Sequence, residues 1–485
     1  MSALDCLVLG GGVTGLGVAR LAARNGWSVA LLERGDLASG ASGASSHMLH
    51  GGLRYLEHGQ FALVREALAE RAAVARMAPA LARPVRFLVP LRRGDRVRPW
   101  RLRAGLALYD LLAGRATLSR HTMARAAEAR AIEPALAADR LLGAGLYSDA
   151  VMDDARLAIA VARDAAAHGA ALHTRVELAS VRPAEGGAVE VTARDRESRE
   201  ELRWTARALV NATGAWSDAT RRELARMLHP GAPDPPRRLR PSRGTHLIYP
   251  ALTGGRGVLA LAASDGRVFF VVPFAGRSLV GTTEVETASP PAPQELEPTP
   301  EEIRYLASEL ARVIPAAAAA RPLAVFAGVR PLLESAGDVG GASREHRVFV
   351  EGAVVTIAGG KYTTFRVMAR DALAAVARAL GRDPDALHDP AEALPVPVAD
   401  DADPVVLGAH AAEHEWARTL EDVLRRRSLH WLADDRGLGV APAVAGSMAR
   451  RLGWSAERER EEIDGYEARV RSEQALIARA LEAGA

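Results

Sequence analysis

A strand, a glycine turn and a helix within residues 4–33 constrain this chain more than any other feature. Leu4 to Leu9 is a short apolar run, and Gly10-Gly11-Gly12-Val13-Thr14-Gly15 follows it. Leu16, Ala19, Leu21 and Ala22 then recur at helical spacing up to a stop at Gly26. Ser28 to Leu32 reads as a second strand ending at Glu33. In such a β-α-β unit Gly10 permits the turn, Gly12 lets a pyrophosphate approach the backbone, and Gly15 lets the helix pack close to the sheet. The helix N-terminus, at Thr14, then faces the negative charge. Glu33, 18 residues after Gly15, can accept hydrogen bonds from an adenosine ribose and would repel a 2′-phosphate. The unit predicts a dinucleotide site and does not by itself decide between NAD and FAD.

Two later stretches favour FAD. Ala208-Leu209-Val210-Asn211-Ala212-Thr213-Gly214 is a strand running into a turn of small residues, a second backbone segment for a long cofactor. Ile357-Ala358-Gly359-Gly360-Lys361-Tyr362-Thr363-Thr364 is another strand-to-helix junction, whose helix N-terminus could stabilise negative charge on a reduced flavin. Of 62 Lys and Arg residues one alone, Lys361, is lysine, and it falls at this junction. Where Lys has been replaced by Arg so thoroughly, a surviving compact ammonium points to a place that a planar guanidinium cannot fill.

Composition excludes several classes. At about 150 residues per domain, 485 residues suggest roughly three domains. The single cysteine, Cys6, excludes an internal disulfide framework and a cysteine-built zinc site, and no metal is expected. No apolar run reaches about 18 residues, so no spanning helix is expected. The start, Met1-Ser2-Ala3-Leu4-Asp5, reads as the first strand of a domain and not as a signal peptide, which makes the cytoplasmic side the expected location. A net charge of +3, with no basic block interleaved with aromatics, does not suggest a nucleic-acid partner.

Candidate chemistry gathers on a few stretches. Ser45-Ser46-His47-Met48-Leu49-His50-Gly51-Gly52-Leu53-Arg54-Tyr55 concentrates cationic and polar groups suited to an anionic hydroxyl substrate, and a helix is predicted from about 53 to 77. His50 and Arg54, four apart, could share a helix face if the helix begins early enough. Arg243-Gly244-Thr245-His246, Gly281-Thr282-Thr283-Glu284 and Ala327-Gly328-Val329-Arg330 border predicted strands. One strand is predicted over 348–358. Residues 92–120 are arginine-rich, with Trp100, Leu102, Leu106, Leu108, Tyr109 and Leu111 among the charges, and read as a basic amphipathic helix for an anionic membrane surface.

Taken together, these stretches resemble the FAD-dependent, quinone-linked respiratory glycerol-3-phosphate dehydrogenases. The resemblance covers nearly the whole chain: HGGLRYLEHGQFALVREALAER at 50–71, DDARL at 153–157, NATGAWSD at 211–218, GTHLIYP at 244–250, VGTTEVE at 280–286, AGVRPL at 327–332, GGKYTTFR at 359–366, and TLEDVLRRRSLHW at 419–431 with LGWSAERE at 452–459. It implies an α/β (α+β) fold: a Rossmann-like FAD domain of the glutathione-reductase/D-amino-acid-oxidase type, an antiparallel-sheet substrate domain and a helical C-terminal domain. The expected boundaries are 1–90, 143–218 and 333–382 for the FAD domain, 91–142 and 219–332 for the substrate domain, 383–404 for a linker and 405–485 for the helical domain.

The resemblance further implies oxidation of sn-glycerol 3-phosphate at C2 to dihydroxyacetone phosphate, with hydride passing to flavin N5 and electrons to a membrane quinone. The expected place is peripheral, on the inner face of the cytoplasmic membrane. Carried over residue by residue, His50, Arg54, Arg330 and Lys361 form the substrate-contacting set: Arg330 and Lys361 at the substrate oxygens near the flavin, Arg54 at the phosphate. His50 or His246 takes the hydroxyl proton, and Tyr55 and Thr282 are further contacts. Gly10, Gly12, Thr14, Gly15, Glu33, Arg34, Ser45, Ser46, Val176, Ala212, Gly214, Gly359, Gly360, Lys361 and Thr363 are expected to bind FAD. The chain departs from the family in His47, where SSKLIHGG has lysine, in GTTEVE for GTTDVD, and in Arg243-Gly244-Thr245-His246 for KGSH. Rival readings are an oxygen-using oxidase, an amino-acid or amine oxidase of the same flavin fold, and a flavin-binding regulatory protein without turnover. The helical tail is assigned to interaction or homodimer contacts.

Overall fold

Leu7, Leu9, Leu31 and Leu32 are buried among other apolar side chains, as expected of strands covered on both faces of a parallel sheet. In the computed structural model, which describes residues 3–287, 289–334 and 345–482, they belong to a six-stranded sheet. The remaining residues, including 335–344 of the expected FAD domain, Met1 and Ser2 of the predicted first strand, and the last three of the expected C-terminal domain, lie outside the described ones. The strand order is His346–Glu351, Val354–Gly359, Leu209–Asn211, Cys6–Leu9, Val29–Glu33, Ala171–Thr174. All pairs are parallel except the first.

That exception corrects the single strand predicted over 348–358. The segment is a hairpin turned at Gly352, whose φ of +60° suits a glycine turn. The helix Val13–Arg24 packs against the helices Asp154–Ala167 and Phe365–Ala379, and a Cβ at Gly17 would lie 2.9 Å from the Phe365 ring. An antiparallel three-stranded sheet, Val176–Pro183, Val189–Asp195 and Glu201–Ala206, stands beside this layer.

The second layer is a ten-stranded, largely antiparallel sheet centred on Ser242–Pro250, Arg277–Gly281, Val268–Phe274 and Gly257–Leu261, with Ala324–Arg330 also paired to Ser242–Pro250. The strands Ala82–Arg92 and Leu141–Met152, both in this sheet, run across the expected boundaries at 90/91 and 142/143. Met48–Leu49 forms its edge. Residues of the expected FAD domain therefore build part of this second sheet. Ile303, Leu306 and Leu310 of the helix Pro300–Val313 cover the sheet, and Ile477 and Ala480 of the last helix, Ala456–Glu482, join the same core.

The helix predicted from 53 to 77 is divided. Leu53–His58 is a 3₁₀ turn and Phe61–Met77 an α-helix, parted by Gly59 in the left-handed region (φ +68°). His50 thus precedes the turn and shares no α-helical face with Arg54. The segment 383–404 is nearly free of regular structure and is strapped down by charge: Asp389 accepts from Arg20 at 3.2 Å and from Arg366 at 2.9 Å. The C-terminal helices Pro404–His414, Leu420–Arg426 and Ala441–Leu452 pack with Tyr466 and Val470 of the last helix in a core of their own.

Candidate functional site

The glycine turn opens onto a long cavity. Its wall includes Gly10, Gly12, Thr14, Glu33, Arg34, Val176, Ala212, Gly214, Gly359, Gly360 and Lys361. Gly10 is required by geometry: its φ is +107°, and a Cβ there would lie 2.7 Å from the Ala212 carbonyl oxygen. Gly12 is the N-cap of the helix and lines the cavity with no side chain to fill it. Gly15 lies outside the wall and serves packing, since a Cβ on it would be 2.0 Å from the Gly10 carbonyl oxygen. A glycine turn at the helix N-terminus and the Glu33 carboxylate in one cavity wall together fit a dinucleotide.

Glu33 holds the turn as well as the wall. Its two oxygens accept from the Gly11 and Gly35 amides, each at 2.7 Å. Burial pushes its carboxyl above the usual range, and these two amides and Arg34 act against that shift. A carboxylate oxygen has a second lone pair, which leaves acceptor capacity for a ribose hydroxyl. Beyond it the Arg34 guanidinium lies 5.8 Å from the Trp216 ring centre, and both residues line the cavity.

Three of the expected cofactor residues point elsewhere. Ser45 donates its amide to Asp154 Oδ2 at 2.9 Å and accepts from the His47 amide at 3.0 Å. The Ser46 hydroxyl is 2.8 Å from His246 Nε2. The Thr363 hydroxyl is buried, 3.4 Å from the His50 amide.

At the Lys361 end, cations gather around one turn. Arg330 donates to the Thr282 hydroxyl at 2.6 Å and to the Thr283 carbonyl at 3.2 Å. Arg54 is 3.8 Å from Glu284 of the same turn. Lys361 Nζ lies 4.6 Å from the centre of the Tyr55 ring, next in sequence to Arg54. Gly244 makes room for Arg330, as a Cβ there would be 2.3 Å from a guanidinium nitrogen. Arg243 is not in this cluster and pairs with Glu302 at 3.0 Å.

The histidines separate by environment. His246 is buried, stacked on Phe326 with 5.0 Å between ring centres, and its Nδ1 has no hydrogen-bond partner. Burial, then the charge of Arg330, holds its pKa well below the usual histidine range, so the ring stays neutral. His47, the departure from the family's lysine, is buried with a left-handed backbone (φ +53°). Its ring stacks on Phe274 at 4.2 Å and lies 3.1 Å from the Met152 carbonyl oxygen. It forms no part of the cavity wall.

Several residues of the site are not obvious from the sequence. Ser42 lines the cavity and accepts the Val13 amide at 2.9 Å, capping the dinucleotide helix from a loop 29 residues away. Its Ser/Ala/Gly surroundings gave only the signal of a loop. Asp154, in the DDARL stretch, binds the Ser45 amide and fixes the 45–47 loop. Trp216 and Glu223 also line the cavity.

Comparison with known proteins agrees with this architecture. The model of the FAD dependent oxidoreductase family matches residues 5–366, and that of the C-terminal domain of alpha-glycerophosphate oxidase matches residues 408–459. The protein named glycerol-3-phosphate dehydrogenase 2 in Mycobacterium bovis is 34% identical over 540 residues, covering 97% of this chain and 88% of that one. The glycerol-3-phosphate dehydrogenase of Pseudomonas aeruginosa is 39% identical over 381 residues, covering 76% and 70%. The FAD complex of glycerol-3-phosphate dehydrogenase from Bacillus halodurans shares the fold with a TM-score of 0.71 at 23% identity, covering 97% and 95%. L-alpha-glycerophosphate oxidase of Mycoplasma pneumoniae does so with a TM-score of 0.60 at 18% identity, covering 79% and 95%.

Proposed function

The chain belongs to the family of FAD-dependent glycerol-3-phosphate dehydrogenases, and on that premise we propose that it oxidises sn-glycerol 3-phosphate at C2 to dihydroxyacetone phosphate and passes the electrons to a membrane quinone. The observation that carries the substrate is the gathering of Arg330, Lys361 and Arg54 around the Thr282–Glu284 turn and Tyr55, at one end of the cofactor cavity. A phosphate dianion needs fixed cations, and three of them gathered here suit it better than a neutral amine.

FAD would lie along Gly10, Gly12, Glu33, Ala212 and Gly360, and when bound it supplies a two-electron acceptor for the hydride leaving C2. Arg54 takes the phosphate. Arg330, oriented by two hydrogen bonds to the Thr282–Thr283 turn, and Lys361 donate to the oxygen that becomes the carbonyl. Their positions are fixed before substrate arrives, which lowers the cost of orienting it. His50, on the loop bound to Thr363 beside Lys361, accepts the hydroxyl proton. His246 is buried and already bonded to Ser46, and acts as a positioning residue behind Arg330.

For the acceptor, we place the contact with the membrane on the helix Pro99–Ala113. Its expected apolar stripe is turned inward, with Leu102, Leu106 and Tyr109 buried against the sheet. Trp100 and Leu111 nevertheless remain 72% and 75% exposed, among the exposed Arg96, Arg98, Arg101, Arg103 and Arg115. Aromatic and aliphatic side chains ringed by arginine suit an anionic headgroup region. Among the described residues no helix is long and apolar enough to cross a membrane.

Turnover measured with a quinone analogue and, separately, as oxygen uptake tests both halves of this reading. Reduction of the analogue with sn-glycerol 3-phosphate, but not with glycerol or D-amino acids, is expected. Dominant oxygen uptake would make the enzyme an oxidase, and preference for an amino acid would remove the substrate.

A further inference from the structure

We propose that the C-terminal helical domain is a clamp that retains FAD, acting through Asp36 on the loop that walls the cofactor cavity. Asp36 follows the second strand of the dinucleotide unit and begins a loop whose Ser39, Gly40, Ala41 and Ser42 line the cavity. Its carboxylate is almost wholly buried and is held by two arginines of the C-terminal domain. Arg427 grips both oxygens, with Nη2 donating to Oδ1 at 2.7 Å and Nη1 to Oδ2, and Arg426 Nε donates to Oδ2.

A second buried carboxylate completes the joint. Asp422 accepts from Arg426 at 2.6 Å and from Arg175 at 2.9 Å, while the amides of Arg418 and Thr419 donate to it at 2.9 and 3.0 Å. Arg175 adjoins Val176, which lines the cavity. Two carboxylates and three guanidiniums thus join the helix Leu420–Arg426 to two segments of the cavity wall. Buried charges are tolerated only when matched in this way, and loss of one partner leaves an uncompensated charge.

The clamp does not touch the cofactor site itself, because the residues lining the cavity end at Met368. It acts by holding the 36–44 loop in place, so that Ser42 stays on the Val13 amide and Gly40 stays beneath Trp216. A loop ordered in advance takes less from the binding free energy of its ligand. The domain is anchored on its other side, where Arg436 donates to the Leu323 carbonyl at 2.7 Å, one residue before the strand that carries Arg330. By thermodynamic reciprocity, bound FAD must in turn steady the helix Leu420–Arg426.

Two measurements test this, and neither uses substrate, so their failure is separate from failure of the proposed reaction. In Arg427→Gln and Asp36→Asn, FAD should leave about tenfold faster, read as flavin fluorescence after dilution of the yellow protein. In the unaltered protein, loading FAD should slow hydrogen exchange at the amides of Leu420–Arg426 more than at those of Ala441–Leu452, whereas a general gain in stability would slow both alike. The second reading stands even if the variants fail to fold. Exchange at Leu420–Arg426 that ignores FAD or slows no more than that at Ala441–Leu452, or release at the parent rate from folded variants, would overturn the clamp.

Discussion

The Lys361 ammonium lies 4.6 Å from the centre of the Tyr55 ring, at the end of the cavity wall that also contains Gly359 and Gly360. A compact ammonium over an aromatic face keeps donors for a substrate oxygen, whereas a guanidinium would spread flat across the ring. Lys361→Arg should therefore lower kcat about 100-fold while the protein still purifies yellow. Parent-like turnover in that variant would show that any cation serves.

Arg330 owes its direction to Thr282, whose hydroxyl accepts from it at 2.6 Å. Thr282→Val keeps the volume and removes the acceptor. A hydrogen bond to a charged group contributes about 1.5–3 kcal/mol, so kcat/KM for sn-glycerol 3-phosphate should fall at least about tenfold, with FAD content unchanged. Steady-state kinetics on the holoenzyme checks this.

The two histidines predict distinct pH profiles. Burial and Arg330 lower the His246 pKa, so as pH falls through the usual histidine value of 6.5 its ring stays neutral and its bond to Ser46 is kept. Any acid limb of kcat/KM near that value is then not the titration of His246. It should vanish in His50→Gln and persist, at lower amplitude, in His246→Gln. A limb lost only in His246→Gln would reverse the assignment of the base.

Gly12 and Gly15 should fail differently. A Cβ at Gly12 would meet only the Ser42 hydroxyl, at 3.1 Å, so Gly12→Ala should fold and bind FAD weakly. A Cβ at Gly15 would lie 2.0 Å from the Gly10 carbonyl oxygen, and Gly15→Ala should lose about 3 kcal/mol of stability. Denaturant midpoints of the FAD-free proteins, beside flavin titrations, separate the two effects.

Trp100 and Leu111 are exposed although neighbouring apolar residues of their helix are buried. Trp100→Ala with Leu111→Ser should reduce co-sedimentation with anionic vesicles and leave FAD content and soluble turnover intact. Unchanged sedimentation would remove this helix from the membrane contact.

The local parts of this molecule were legible in its sequence, and the long-range parts were not. The dinucleotide unit could be read because its strand, turn and helix are contiguous and each glycine answers a steric need. The strand Ala82–Arg92 was hidden because Pro84, Pro90 and its arginines break the alternation that marks a strand, and its pairing with Leu141–Met152 supplies the order. Ser46 is expected from the resemblance to bind FAD, yet its hydroxyl lies against His246. The triple arginine at 425–427 shows locally only the i,i+4 pair of Arg426 with Asp422, since the partner that buries Arg427 is Asp36, 391 residues away. Charge patterns show which residues need partners, and the tertiary fold decides which partners they receive.

The central claim is that a cation-lined pocket at one end of the FAD cavity grips a phosphorylated alcohol for oxidation. Anaerobic addition of sn-glycerol 3-phosphate to the purified yellow protein, followed by its visible absorbance, addresses this most directly. Bleaching with this compound, and not with glycerol or D-amino acids, is the predicted result. Persistence of the yellow band in protein fully loaded with FAD would contradict it.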